Sequence, residues 1–150
     1  MAQTGLWTRS ALIVEDDDVV ARLLQFILQS EGFAVTRAAD GAAARALIAS
    51  ELPPDVVTLD GFLPDATGRE LLDTMRATPD WKHVPVLVLS AEPQEPLESS
   101  AGDTDILAYM EKPFRAEALR ACISHLLKNT SFQRVQGRAE AGLPRHGRRC

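Results

Sequence analysis

The chain has 150 residues, of which 45% are hydrophobic and 25% are charged, a composition that is ordinary for one globular domain. Its net charge of −5 argues against general nucleic-acid binding. The apolar stretches are too short to span a membrane, and residues 1–10 lack the apolar core of a signal peptide. Two cysteines do not make a disulfide framework. We therefore expect a soluble, cytoplasmic protein.

Short apolar runs alternate with helical patterns along the chain. The runs are predicted strands at residues 11–14, 34–36, 56–59, 86–89 and 106–110. One helix is predicted to begin at a cap at Asp17 or Asp18, and a second at a cap at Asp40. Two further helices are predicted around Leu71 and around Leu119. The alternation implies βαβ crossovers, and therefore an α/β fold with a mostly parallel sheet and helices on both faces.

The chain divides into a flexible leader at residues 1–10, one domain at residues 11–128 and a basic tail at residues 129–150. The last helix is expected to run to about Lys128. The tail has five arginines, one glutamate and few large apolar residues, so we expect it to be disordered. Between residues 91 and 105, two prolines and a glycine leave room only for a short helix around residues 97–101.

Polar residues of a particular kind follow the predicted strands: Glu15 and Asp16, Asp60, Ser90, and Lys112. The carboxyl ends of parallel strands lie on one edge of the sheet, so these residues can converge. Three carboxylates brought together repel each other, and a hard divalent cation such as Mg²⁺ relieves that repulsion. With a hydroxyl and a lysine beside them, these groups are the parts needed to receive a phosphoryl group.

Four motifs in chain order carry a resemblance to a known family. They are Glu15-Asp16, Asp60-x-x-x-Pro64-x-x-x-Gly68, Leu89-Ser90-Ala91 and Lys112-Pro113-Phe114. The chain resembles the response-regulator receiver domain of bacterial two-component signalling over about residues 11–128. This resemblance implies a flavodoxin-like doubly wound sheet of five parallel strands in the order 2-1-3-4-5.

The resemblance also implies the role of each acid. Asp60 would be the phosphoacceptor, which attacks a phosphohistidine and forms an acyl phosphate. Asp16 and Asp60, with the backbone carbonyl of Phe62, would hold Mg²⁺, and Glu15 would act through a bound water. Asp17 has two interpretations, a helix cap or a further contributor through water, and the cap is favoured.

The remaining roles concern the switch. By the same resemblance, Lys112 would pair with Asp60 at rest and with a phosphoryl oxygen afterwards. Ser90 would donate a hydrogen bond to another phosphoryl oxygen. Tyr109 would turn inward when Ser90 moves; the alternative is a half-exposed strand aromatic with no such role.

Two features depart from the family pattern. Gly61 stands where the family generally has an apolar residue, and Phe62 is bulky beside the acceptor. We expect Phe62 to limit the access of attacking water and Glu92 to shape the access of partners. The proline-interrupted, acidic 91–105 region departs further and suggests a short or mobile element.

We predict a stand-alone receiver of a phosphorelay that is not a conventional enzyme and that acts by switching protein–protein contacts. Its phosphodonor would be a sensor histidine kinase or a histidine phosphotransfer protein, its downstream target is not specified, and no direct DNA binding is expected. The main alternative is a receiver-like interaction module that never takes phosphate. A small hydrolase using Asp60 is disfavoured because Phe62, two residues on, cannot serve as a general acid.

Overall fold

A parallel β-sheet forms the centre of the domain. The computed structural model describes residues 9–91, 106–136 and 148–149, and within these residues the sheet has six strands in the order β2-β1-β3-β4-β5-β6. The strands are β1 (Arg9–Val14), β2 (Phe33–Ala38), β3 (Val56–Asp60), β4 (Val86–Ser90), β5 (Leu107–Glu111) and β6 (Arg148–Arg149).

The helices lie between and after these strands. They are α1 (Asp18–Ser30), α2 (Gly41–Ser50), α3 (Gly68–Ala77), a short 3₁₀ turn (Pro79–Trp81) and α4 (Ala116–Gln136). None of the described helices is both long and apolar enough to cross a membrane.

Side-chain caps define where the first three helices begin. Asp17 accepts hydrogen bonds from the first-turn amides of α1, and Asp40 accepts one from the amide of Ala43 at the start of α2. Thr67 and Glu70 form a reciprocal capping box on α3. Gly32, at φ +94°, takes the left-handed conformation that lets the chain leave α1 for β2. The predicted caps at Asp17 and Asp40 are therefore confirmed.

Each face of the sheet is covered by a different pair of helices. On one face, α1 and α4 pack over β1, β4 and β5 through Leu24, Ile27, Leu119 and Ile123, among others. On the other face, α2 and α3 pack through Ala44, Ile48, Leu71 and Met75. Because both faces are covered, β3 is buried along its whole length, as its continuous apolar run predicts.

The α/β class, the helices on both faces and the strand order 2-1-3-4-5 are confirmed, and β6 adds a sixth strand beside β5. The predicted end of the last helix at Lys128 is wrong, because α4 continues to Gln136. No proline or glycine interrupts the sequence before Gly137, so nothing local stops the helix earlier. Strand β1 also begins at Arg9, inside the predicted leader.

Three of the predictions concern residues outside the described part of the chain. The short helix around 97–101 and Glu92 both lie there, as do residues 137–147 of the predicted disordered tail.

Candidate functional site

Three carboxylates meet at the carboxyl edge of the sheet. Glu15 and Asp16 follow β1 directly, and Asp60 is the last residue of β3. The register explains the convergence, since Val14 at the end of β1 pairs with Leu59, the residue before Asp60. One carboxylate oxygen from each of the three acids lies within 4.8 Å of the others. Glu15 and Asp60 are buried, whereas Asp16 is exposed to solvent.

Asp60 is a buried acid held in place by both charge and hydrogen bonding. Its Oδ1 accepts a hydrogen bond from the backbone N–H of Phe62 at 3.1 Å, and its Oδ2 lies 3.6 Å from Nζ of Lys112. The pKa of Asp60 is raised from 3.8 to about 7, mainly by burial and in smaller part by the neighbouring Glu15 charge. The Phe62 amide and the Lys112 ammonium lower that pKa but do not cancel the effect of burial.

Lys112 connects two of the acids. Its Nζ donates to Oε1 of Glu15 at 2.9 Å and lies 3.6 Å from Asp60, so its closer partner is Glu15. From the sequence, only a pairing with Asp60 is expected. The backbone fixes the lysine, because its N–H donates to the carbonyl of Ser90 at 2.8 Å where β4 and β5 end together.

Arg37 braces the acid pair and was missed by the sequence analysis. Its Nε and Nη2 donate to the backbone carbonyl of Glu15 at 3.0 and 2.8 Å, and its Nη1 donates to Asp18 at 2.9 Å. A signal was available, since Arg37 lies near the end of β2 in register with Ile13, two residues before Glu15. A basic residue at a neighbouring strand end can reach the acid pair because the carboxyl ends of parallel strands lie on one edge of the sheet.

Asp17 has a clear local role. Its Oδ1 accepts hydrogen bonds from the amides of Val19 at 2.8 Å and Val20 at 3.1 Å, which is the geometry of a helix cap. Its own N–H donates to Oε2 of Glu15 at 3.2 Å. The carboxylate cluster found among the described residues is Glu15, Asp16 and Asp60, which leaves Asp17 outside it.

The loop after β3 is tightly folded around the acceptor. The N–H of Gly61 donates to the Leu89 carbonyl at 2.9 Å, and the N–H of Gly68 donates to the Gly61 carbonyl at 2.8 Å. A Cβ at Gly68 would lie 3.1 Å from the Asp60 carbonyl oxygen and 3.2 Å from the Gly61 Cα. This contact with backbone explains why the motif carries glycine at position 68. A Cβ at Gly61 would meet only the Ser90 side chain this closely, at 3.3 Å.

Asp65, a second residue that the sequence did not reveal, ties this loop to the neighbouring helix. Asp65 accepts hydrogen bonds from the amides of Gly41 at 2.7 Å and Ala42 at 3.0 Å, at the N-terminus of α2. The Gly41 amide holds the pKa of Asp65 below its usual value. Asp65 therefore anchors the acceptor loop from its far side.

The remaining predicted residues surround the acid cluster. Ser90 ends β4 and is half-buried, close to Gly61. Phe62 is half-exposed beside Asp60, and its backbone lies at the site through the Asp60 contact. Tyr109 lies in β5 opposite Val88 and packs, partly buried, on the face covered by α2 and α3.

The donor set fits a hard divalent cation. Carboxylate oxygens are the ligands that Mg²⁺ prefers, and one or two of them suffice when waters complete its shell. Glu15 and Asp60 are buried, and the raised pKa of Asp60 reports the cost of holding both charges there. The exposure of Asp16 leaves the cluster open to solvent, as a cation that keeps its waters requires.

Comparison with known proteins agrees with this fold. The family model of the response regulator receiver domain matches residues 11–124, and the chain belongs to that family. Receiver domains are signalling modules of two-component systems, and magnesium binding is general among them. A solved receiver domain, that of the sensor histidine kinase PA1611 from Pseudomonas aeruginosa PAO1, has a magnesium ion coordinated in its active-site cleft. It is 25% identical, with a TM-score of 0.67, and the match covers 80% of this chain and 98% of that one.

Two curated relatives are longer than the matched region. The sensor histidine kinase TmoS of Ectopseudomonas mendocina is 35% identical over 77% of this chain and 12% of its own length. The probable transcriptional regulatory protein TcrX of Mycobacterium tuberculosis is 34% identical over 87% of this chain and 55% of its own length. The chain thus spans about half or less of these relatives.

Proposed function

We propose that this domain accepts a phosphoryl group from a phosphohistidine onto Asp60 in a magnesium-dependent reaction. The observation that carries the proposal is the pairing of a buried carboxylate with an ammonium 3.6 Å away and two further acids at the same sheet edge. We favour this function over a purely structural role because burying these carboxylates together lowers the folding stability, and a structural role alone would not require that loss.

The chemistry is a direct transfer between two nucleophiles. An oxygen of the Asp60 carboxylate attacks the phosphorus, the P–N bond to the histidine breaks, and the imidazole leaves as an acyl phosphate forms. The Phe62 amide, which donates to Asp60 Oδ1, orients the carboxylate for attack. Lys112 then donates to a phosphoryl oxygen and offsets the charge added beside Glu15.

Asp16, Asp60 and the Phe62 carbonyl would hold Mg²⁺, with Glu15 acting through a bound water. When bound, the ion supplies positive charge to the phosphoryl oxygens in the transition state. Arg37 fixes the backbone of Glu15 and so keeps the acid pair at the sheet edge.

The signal would leave the site through Ser90 and Tyr109. The Ser90 hydroxyl donates to a phosphoryl oxygen, which draws the end of β4 toward Asp60. Glu111 on the adjacent strand is the register partner of Ser90, and Tyr109 lies two residues before it. Tyr109 then changes position when the end of β4 moves. Such a two-state element, biased by a new charge, changes the surface offered to a protein partner.

The phosphodonor would dock on the first turns of α1. This helix begins at Asp18, with its cap Asp17 directly beside the acid pair, so a protein bound there can present its histidine to Asp60. Val19, Leu23 and Phe26 are exposed at helical spacing, with 75%, 45% and 67% of their surface accessible. An exposed apolar stripe of this kind fits an apolar face of a helix on a histidine kinase or phosphotransfer protein.

The test of the central reaction is phosphorylation by a small phosphodonor followed by intact mass. The wild type should gain one phosphoryl group with Mg²⁺ and none with EDTA. Asp60→Asn should gain none, whereas the matched control Asp73→Asn, an exposed acid on α3, should behave as wild type. No magnesium-dependent gain in the wild type would reject the proposed function and favour a module that works without phosphate.

The docking surface is tested separately with a phosphorylated histidine protein as donor. Phe26→Asp should slow transfer from that protein by roughly tenfold or more while leaving phosphorylation by the small donor unchanged. Leu52→Asp is the matched control, because Leu52 is an exposed leucine just beyond α2, away from this stripe. Equal slowing in both variants would contradict the assignment to α1.

A further inference from the structure

Two hydrogen bonds and a close packing contact join the acceptor loop to the start of α2. The carboxylate of Asp65 accepts from the N–H of Gly41 at 2.7 Å and from the N–H of Ala42 at 3.0 Å. The first amides of a helix have no partner inside it, so a carboxylate at this place is favourable. The loop also packs directly on the helix, because a Cβ at Gly41 would lie 2.7 Å from the Cβ of Ala66.

The contact at Asp65 is relayed through the loop to the backbone beside the acceptor. Asp65 lies at the tip of the loop, where the N–H of Leu63 donates to the carbonyl of Ala66 at 2.9 Å. Next to this bond, Phe62 and Thr67 form an antiparallel bridge. The amide of Phe62 in turn donates to the acceptor carboxylate at 3.1 Å. A displacement of the tip therefore reaches Phe62.

The chain segment that leads into α2 also holds the acid pair. Ala38, the last residue of β2, accepts a hydrogen bond from the N–H of Glu15 at 3.1 Å. The side chain of Arg37 donates to the backbone carbonyl of the same glutamate at 3.0 and 2.8 Å. Residues 37–42 therefore bond to the acid pair after β1 at one end and to the loop after β3 at the other.

The order of the strands makes this segment a bracket across the site. Strand β1 lies between β2 and β3, so the ends of β2 and β3 are about 10 Å apart across the sheet. The acid pair follows β1, in the middle, and the acceptor loop follows β3. A connection from the end of β2 to the loop after β3 thus constrains the distance between the acid pair and that loop.

We propose that residues 37–42 form a frame that sets the spacing between the acid pair and the acceptor loop, and that Asp65 is the positioning residue that fastens the loop to this frame. The proposal rests on the magnesium-dependent reaction proposed above. Asp65 is not a ligand in that reaction and acts through the backbone of Phe62, whose carbonyl would hold Mg²⁺. Without the bonds of Asp65 the carboxylates of the cluster stay in place, but the loop moves and binding of the cation weakens.

The first test measures Mg²⁺ binding to the full chain by isothermal titration calorimetry. Asp65→Ala should weaken the affinity roughly tenfold, the lower end of what the supporting contacts of a metal site contribute. Asparagine keeps one oxygen, and its NH₂ group cannot accept from a second amide. The affinity of Asp65→Asn should therefore lie between that of the alanine variant and that of the wild type.

Asp40→Ala is the matched control for the loss of a helix cap. Asp40 caps the same helix by accepting from the amide of Ala43 at 2.8 Å, and its removal leaves the bonds of Asp65 in place. This variant should keep the Mg²⁺ affinity of the wild type. Equal weakening in Asp40→Ala and Asp65→Ala, or an unchanged affinity in Asp65→Ala, would overturn the proposal.

The second test follows hydrogen exchange in EDTA, without Mg²⁺ or phosphate. Asp65→Ala should speed the exchange of the Leu63 amide on the order of tenfold, because the tip of the loop is no longer held to α2. The Gly61 amide, which donates to the Leu89 carbonyl of β4 at 2.9 Å, should exchange as in the wild type. Asp40→Ala should leave both rates unchanged, and faster exchange of the Leu63 amide in that variant would contradict the frame.

These outcomes separate the frame from the phosphorylation. A wild type that takes a phosphoryl group, together with an Asp65→Ala variant whose Leu63 exchange and Mg²⁺ affinity are unchanged, would reject the frame alone. A wild type that neither binds Mg²⁺ nor takes phosphate would reject the proposed function. The exchange of the Leu63 amide would then still decide whether Asp65 holds the loop.

Discussion

Replacing Asp60 by asparagine should stabilise the metal-free protein, and the gain should depend on pH. Asparagine keeps the size of the side chain and an oxygen that can accept the Phe62 hydrogen bond, but it carries no charge. Lys112 is not left without an anion, because Glu15 remains 2.9 Å from its Nζ. The substitution therefore removes mainly the cost of ionising a buried carboxyl group.

The size and sign of the effect follow from the pKa of Asp60. A pKa raised from 3.8 to about 7 means that the folded state holds the proton more tightly than the unfolded state. Stability is therefore lost as the pH rises from about 4 to about 7, at about 1.4 kcal/mol for each pH unit. At pH 8 the ionisation of Asp60 lowers the folding stability by its full amount, up to about 4 kcal/mol, and at pH 5.5 by about half of that. We expect Asp60→Asn to stabilise the fold by about 2 kcal/mol more at pH 8 than at pH 5.5.

Urea unfolding in EDTA, followed by circular dichroism at both pH values, measures this difference. Asp73→Asn is the control, because the exposed Asp73–Arg69 pair should contribute less than about 0.5 kcal/mol at either pH. Adding Mg²⁺ to the wild type at pH 8 should recover part of the difference, since the cation offsets the carboxylate charges. A destabilised Asp60→Asn variant, or a gain equal at both pH values, would refute the reasoning.

Three other changes probe the surroundings of the site. Phe62→Ala should shorten the lifetime of the phosphoryl group, because we expect the half-exposed Phe62 side chain to limit the access of attacking water; an unchanged half-life would remove that role. Lys112→Met leaves two buried carboxylates without their ammonium. It should destabilise the metal-free fold by on the order of 2 kcal/mol at pH 8 and by less at pH 5.5. An equal loss of stability at both pH values in urea unfolding would contradict this role of Lys112. Gly68→Ala forces a Cβ to 3.1 Å from a backbone oxygen and should cost about 1–3 kcal/mol, more than Gly61→Ala, whose Cβ meets a side chain. The reverse order in urea unfolding would show that the loop is not constrained as described.

Much of the fold could be predicted from the sequence, because local patterns and tertiary packing agree. The apolar run of β3 is buried throughout, and Asp40 caps α2 at the predicted residue. The strand ends also predicted which acids converge, since parallel strands bring Glu15, Asp16 and Asp60 to one edge. These inferences depend on periodicity and topology, which the sequence carries directly.

The missed features depend on contacts that local sequence does not encode. The bond from Arg37 to Glu15 joins residues 22 positions apart, and only the pairing of β1 with β2 indicates it. The bond from Asp65 to the start of α2 spans 24 positions and has no such signal in the sequence. Strand β6 has no strand-like pattern and forms against an edge provided by β5. The extension of α4 to Gln136 could have been foreseen, because the first glycine after Lys128 is Gly137.

The most direct measurement of the central claim is the location of the phosphoryl group within the chain. After phosphorylation with Mg²⁺ and a small phosphodonor, borohydride reduces an aspartyl phosphate to homoserine, which a peptide map can assign to one residue. The account predicts homoserine at position 60, none in EDTA and none in Asp60→Asn. Homoserine at another acid, or a phosphoryl adduct that persists in Asp60→Asn, would contradict it.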